Sequence, residues 1–253
     1  YMNTILKLFL VIRTIVNFPT AILDRLRLLK GEVKYNLRNG TSFFARSGTE
    51  DLAEIAVVAS GSEYKIELID LPSNSTIVDL GGHIGTFSVL TAKQLRNRCK
   101  IYTFEPDIEN FKILQKNIIL NKITSVYPKN IAISDYVGRG YLKTEKMNTD
   151  AYYLISGKNK KSNCIVNTLS YALRGYKIKK INLLKMDIEG GERNIFEHKS
   201  SLTYIKKMVH YIFIEIDPQY DSSLMKKIID KNFKTINRHK NVLTLENLNW
   251  KYD

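Results

Sequence analysis

This 253-residue sequence predicts a doubly wound α/β fold: a seven-stranded sheet whose last strand runs antiparallel, preceded by an N-terminal extension of helices and a hairpin. Three stretches carry that expectation. Thr76 to Asp107 reads strand, glycine loop, helix, strand, acid, which is the first half of a nucleotide-binding unit. Ile181 to Met186 is a second buried-type strand, and Asp187 falls at its carboxyl end. His210 to Asp217 reads as a fifth strand, and Thr235–His239 with Val242–Glu246 form a closing hairpin around Lys240-Asn241.

In chain order, residues 1–75 form the extension and 76–253 the main domain. Thr4 to Lys30 is apolar but interrupted by Lys7 and Arg13 and broken at Pro19, so no run approaches the length of a membrane span. Two amphipathic helices hinged at Pro19 are expected. They either lie on an anionic membrane, helped by Arg25, Arg27 and Lys30, or pack on the protein itself or a second subunit. Val33 to Arg46 alternates around Asn39-Gly40, a hairpin signal. Thr49 is suited to start a helix over Glu50–Ala59, and Leu71–Ser75 is a turn cluster.

Within the main domain, Ile77 and Val78 lead into Asp79, and Gly81, Gly82 and Gly85 form a tight loop before a helix over Thr86–Leu95. Ile101–Phe104 is a strand ending at Glu105, and Pro106-Asp107 open a helix through Asn121. Val126–Tyr127 and Asn130–Ser134 lead to Asp135. Residues 136–168, polar and lysine-rich, are too long for a plain loop and are expected to cover a substrate site. Leu224–Asn232 gives a late helix.

The glycine loop is D-x-G-x-x-x-G rather than the G-x-G-x-x-G of dinucleotide sites, and it resembles motif I of the class I S-adenosylmethionine-dependent methyltransferases. Glycines let the backbone approach a ligand without a Cβ in the way, and the helix start offers N–H groups to a carboxylate. Glu105 is placed to accept hydrogen bonds from both ribose hydroxyls. The resemblance implies that the carboxylate of Asp79 faces the methionine ammonium. It also makes Gly81, Gly82, His83, Gly85, Pro106, Ala132, Ile133, Ser134 and Asp135 candidate cofactor contacts.

Lys185-Met186-Asp187-Ile188-Glu189-Gly190-Gly191-Glu192 crowds three carboxylates and an ammonium into eight residues. Crowded carboxylates raise one another's pKa and an ammonium lowers it, so a general base near neutral pH is plausible. Asp187 is the candidate base and Glu189 its support. Glu192 is expected to sit against the dipole of the next helix. Asp187 with Glu215 would suit a divalent cation, although no ligand spacing demands one.

Net charge is +14, which suits nucleic acid, anionic lipid or acidic glycan, but the lysines are spread along the chain. Two cysteines build neither a disulfide framework nor a zinc site, and a cytoplasmic location is expected, with peripheral contact on the inner membrane face as an addition.

Asp79–Gly85, Phe104-Glu105-Pro106, Asn117-x-x-Leu120-Asn121 and Lys185-x-Asp187-x-Glu189-Gly190-x-Glu192 together resemble the FkbM family of methyltransferases, over residues 76–217. Arg46-x-Gly48-Thr49-x-Asp51 is similar to an upstream family element. Alanine is frequent where this chain has Gly82, a departure the sequence gives little weight. The resemblance implies the seven-stranded, Rossmann-like methyltransferase sheet, S-adenosyl-L-methionine as cofactor, and O-methylation of a sugar or other small hydroxyl-bearing acceptor in glycan or secondary metabolism. Two alternatives stay open: an RNA methyltransferase, suggested by the charge and by Asn117–Asn121, and a non-catalytic module of the same fold within a glycan-assembly complex.

Overall fold

A computed structural model of the chain describes residues 4–145, 148–156, 163–216 and 229–250. The expected Asp217 at the end of the fifth strand and the start of the helix predicted from Leu224 lie outside these residues. The chain begins with α1 (Thr4–Thr14) and α2 (Phe18–Arg25). The bend between them falls at Ile15–Asn17, where Ile15 bridges to Leu37. Pro19 is not the hinge; it sits in the first turn of α2, where a residue without an N–H removes no helical hydrogen bond. The hairpin β1 (Glu32–Asn36) and β2 (Ser42–Arg46) turns at Gly40 as the Asn-Gly pair predicted. Next comes α3 (Asp51–Ala59), with Thr49 Oγ1 accepting from the Asp51 N–H at 3.2 Å.

The alternating half follows: β3 (Ser75–Leu80), α4 (Thr86–Gln94), β4 (Cys99–Phe104), α5 (Ile108–Leu120) and β5 (Val126–Lys129). Four strands come next, β6 (Ala132–Ile133), β7 (Gly138–Glu145), β8 (Asn148–Ser156) and β9 (Cys164–Asn167), then α6 (Leu169–Ala172). The chain closes with β10 (Ile181–Met186), α7 (Glu192–Glu197), α8 (Lys199–Met208), β11 (Val209–Glu215), β12 (Phe233–His239) and β13 (Val242–Asn247).

The main sheet has seven strands in the order β5-β4-β3-β10-β11-β13-β12. Strands β5, β4, β3, β10 and β11 are parallel, and β13 is antiparallel to both neighbours. This is the predicted doubly wound sheet. The chain winds outward from β3 to β5 and returns to place β10 on the other side of β3. The strand order therefore reverses between β3 and β10, and ligands in such sheets bind at the carboxyl ends there. Residues 136–168, too long for a plain loop, hold strands the sequence did not predict: β7, β8 and β9 build a second sheet with β6, in the order β6-β9-β7-β8. Its own small core is Ala132, Leu142, Cys164 and Val166. Gly138, Gly140 and the lysines mask the alternation that would have marked these strands.

The apolar runs of the parallel strands are buried on both faces. One face packs with Ile195, Phe196 and Ile205 of α7 and α8. The other packs with α4, α5 and the N-terminal segment, so Val11, Tyr35, Phe43 and Ile55 share a core with Ile77, Phe87 and Leu114. Asn117 on α5 and Asn121, which caps its end, fasten the hairpin there. Asn117 accepts from Phe44 N–H (2.7 Å) and donates to the carbonyls of Phe44 (3.0 Å) and Ile84 (2.8 Å). Asn121 accepts from Ser42 N–H (3.0 Å) and donates to Ser42 O (2.7 Å). Spaced four apart, the two carboxamides act as a partner strand for the free edge of β2. Through Ile84, Asn117 also holds the glycine loop.

Candidate active site

The loop after β3 is built by close packing. Gly81 has φ +78, and a Cβ on it would lie 1.8 Å from the carbonyl oxygen of Asp187, so only glycine lets the two strand ends touch. At Gly82 a Cβ would meet Thr103 Oγ1 at 2.3 Å, and at Gly85 (φ +89) it would meet Leu114 Cγ at 3.2 Å. These glycines first serve contacts within the protein. Gly82 also matters more than the sequence suggested, because Thr103 fills the space an alanine methyl would need.

Asp79 is fully buried. Its Oδ2 accepts from Ser88 Oγ (2.7 Å) and Thr103 Oγ1 (3.1 Å), and Lys185 Nζ lies 3.3 Å from Oδ1. The Lys185 ammonium also donates to the Gly81 carbonyl (2.8 Å) and lies 3.3 Å from Asp187 Oδ2. It thus ties together the ends of β3 and β10. Burial opposes its charge, but Asp187 and Asp79 outweigh that and push its pKa up.

Asp187 stands where the strand pattern put it, and it is the accessible member of this group: its side chain is 27% exposed, against 4% for Lys185 and 0% for Asp79. Tyr64 donates its hydroxyl to Asp187 Oδ2 (2.9 Å). Burial would raise the Asp187 pKa, but Lys185 and hydrogen bonds from Glu215 and Tyr64 bring it below the ordinary carboxylate value. The carboxyl that crowding pushes up is Glu215, to about 10, through the charge of Asp187 and through burial. Glu63 is raised to about 7, by burial first and then by Asp187. An ionised Asp187 and a protonated Glu215 therefore form a pair with Tyr64 and Lys185 around it. Glu189, at φ +54, is half-buried and adds negative charge beside Glu215. Glu192 has the structural role expected of it: its carboxylate accepts from Ile188 N–H at 2.6 Å at the start of α7.

Glu105 is buried at the end of β4, where burial raises its pKa to about 7. Its Oε2 accepts from His83 N–H (2.7 Å) and its Oε1 from Asp107 N–H (2.8 Å) and Asn110 Nδ2 (3.4 Å), which leaves acceptor capacity on Oε2. The His83 ring points elsewhere, into the N-terminal segment. It contacts Glu54 and lies 3.4 Å from Asp51 and 3.1 Å from Arg46. Burial would lower its pKa, but Glu54 and Asp51 hold it protonated. Arg46 in turn grips Asp51 with two guanidinium nitrogens, at 2.8 and 2.9 Å. The Arg46–Asp51 element thus supports the glycine loop from outside.

Of the remaining candidate contacts, Ala132, Ile133 and Ser134 are buried, Ile133 within the larger core, while Asp135 is half-buried and accepts from Ser134 Oγ at 2.9 Å. Residues 132–133 belong to the second sheet rather than to the end of β5. Asn130, which the sequence reading passed over, bridges the carbonyls of Glu105 and Pro106 at 2.9 Å each. Tyr64, Glu63 and Glu54 were also missed. They come from the segment around α3, more than a hundred residues from Asp187 in sequence, with no motif to mark them.

The sequence profile of the methyltransferase FkbM domain matches residues 79–238. None of the curated proteins compared matches the chain. Among solved structures, similarity extends to M. jannaschii TYW2 in complex with AdoMet, at 15% identity over 87% of this chain and 88% of that one, with a TM-score of 0.40. It extends also to a fibrillarin/Nop5p complex, at 14% identity over 77% and 79% of the two chains (TM-score 0.45). A third is an rRNA methylase from Streptococcus thermophilus, at 11% identity over 76% and 96% (TM-score 0.42).

Proposed function

Because this chain belongs to the methyltransferase FkbM domain family, we propose that it transfers a methyl group from S-adenosylmethionine to a hydroxyl of a sugar or another small acceptor. The observation that carries the hydroxyl reading is the Asp187 carboxylate, partly exposed at the carboxyl end of β10 and in contact through its backbone with the glycine loop.

The chain's own groups suit the cofactor. Glu105 keeps acceptor capacity on Oε2 for a ribose hydroxyl, and α4 starts on Gly85 with no side chain capping it among the described residues, which leaves N–H groups for a carboxylate. When bound, S-adenosylmethionine supplies an electrophilic methyl group on a sulfonium. The protein's part is to orient the acceptor and take its proton. A protonated hydroxyl is a poor nucleophile, and the ionised Asp187 accepts its O–H hydrogen. Lys185 and Tyr64 hold that carboxylate in place, with Glu215 sharing a proton with it. Glu189 orients the acceptor from the next turn.

The test is Asp187→Asn, with S-adenosylhomocysteine binding and turnover read together. Turnover should fall by about a hundredfold or more while affinity holds within about threefold. Unchanged turnover would remove Asp187 from the chemistry. Absence of binding by the wild type would favour a non-catalytic module. Methylation of RNA is the competing reading. It rests on the +14 charge, since Asn117 and Asn121 are engaged with β2. Retention of total RNA above about 0.2 M salt would favour it.

A further inference from the structure

Eight of the seventeen large apolar side chains left exposed among the described residues fall between residues 9 and 28. They are not scattered. On α1, Val11 is buried with Ile15 just beyond, and Phe9, Ile12 and the following Val16 line the opposite, outer side. On α2, Ala21 and Asp24 face inward, and Phe18, Ile22 and the following Leu26 form a stripe at helical spacing. Phe9 is 56% and Leu26 63% exposed. The helices pack on their own domain on the inner side alone.

The rim of this surface has one sign. Arg13, Arg25, Arg27 and Lys30 are exposed, and the single acidic residue between 9 and 30, Asp24, is buried. Asp24 is consumed there, accepting from Tyr35 Oη at 2.6 Å and Gly48 N–H at 2.9 Å. Arg13 also lines a cleft of about 430 Å³ between α1, the hairpin turn and the end of α3. Arg38 and Lys65 line it too, and no carboxylate among the described residues does.

We infer that the outer surface of α1 and α2 docks flat on an anionic phospholipid membrane, its apolar stripe at the acyl boundary and its cations, with those of the cleft, among headgroup phosphates. Apolar stripe and cationic rim on one short helix pair is the pattern of an in-plane anchor. No helix among the described residues is long and apolar enough to cross a membrane. A second copy of the chain is a poorer occupant, because a two-fold interface would set this all-cationic rim against itself.

The experiment is flotation of the full chain with phosphatidylcholine vesicles containing 0 to 40% phosphatidylglycerol, across a salt series. The variants are Ile22→Ser/Leu26→Ser and Arg25→Glu/Arg27→Glu, all at exposed positions, with S-adenosylhomocysteine thermal shift and circular dichroism as folding controls. Partition should rise with phosphatidylglycerol and fall with salt, and each double variant should lower it about tenfold or more. Absence of wild-type binding, or equal binding by folded variants, would overturn the inference. So would a dimer in sedimentation that the Ile22/Leu26 variant dissolves while vesicles go unbound. The result does not depend on whether the chain methylates anything.

Discussion

Lys185→Met tests the electrostatic centre of the site. The substitution keeps most of the apolar stem and removes an ammonium that lies 3.3 Å from each of two carboxylates and 2.8 Å from the Gly81 carbonyl. Asp79 would keep Ser88 and Thr103 but lose its counter-charge in a fully buried position. Removing one partner of a buried pair costs about 3–5 kcal/mol. For a chain of this size that is a fall in melting temperature of roughly 6–20 °C. The pH dependence identifies the cause. In the wild type, Lys185 holds the Asp187 pKa below its unfolded value, so this stabilisation is present above about pH 4 and is lost as pH falls. In the variant Asp79, already raised by burial in the wild type, would be raised further and Asp187 would be raised too, and a raised acid destabilises the fold increasingly as pH climbs past its unfolded value. Both effects make the gap between wild type and variant widest at pH 7–8 and narrowest near pH 4. Urea unfolding at several pH values measures it. A gap below about 1 kcal/mol, or one that does not change with pH, would refute the reasoning and assign the loss to packing.

Gly82→Ala should destabilise the protein by about 1–3 kcal/mol through the clash with Thr103 Oγ1, and Gly82→Ala/Thr103→Ala should cost less than the sum of the two single changes in denaturant titrations. Asn117→Ala strips partners from the Phe44 N–H and the Ile84 carbonyl, with an expected loss of about 2–4 kcal/mol measured the same way. S-adenosylhomocysteine affinity should rise by roughly tenfold from pH 6 to pH 8 in calorimetry, because Glu105 ionises near pH 7 and its charged form is the better acceptor. Glu105→Gln should flatten that profile, and a flat wild-type profile would contradict it.

What the sequence determined by itself is whatever depends on neighbours along the chain. Apolar runs ending in Asp79, Glu105 and Asp187 specify buried strands with acids at their carboxyl ends. Asn39-Gly40 specifies a hairpin, and the spacing of Gly81, Gly85 and Glu105 a tight loop before a helix and an acid at the end of the next strand. The expected seven-stranded sheet with its last strand antiparallel is present. The second sheet stayed hidden because its strands carry little apolar alternation and its core is only a few residues.

Only the tertiary structure decided who meets whom. It brought Tyr64 and Glu63 to Asp187, turned the His83 ring to Glu54 and Asp51, and set Lys185 between two carboxylates. It also reversed an electrostatic expectation. Crowding does raise a carboxyl pKa, but the proton goes to Glu215, since Lys185 stands beside Asp187. The physical reason is range. Backbone propensity and side-chain periodicity act over a few residues and are written locally. Contact, burial and Coulomb interaction act over a few ångströms in space, and the chain must fold before those distances exist.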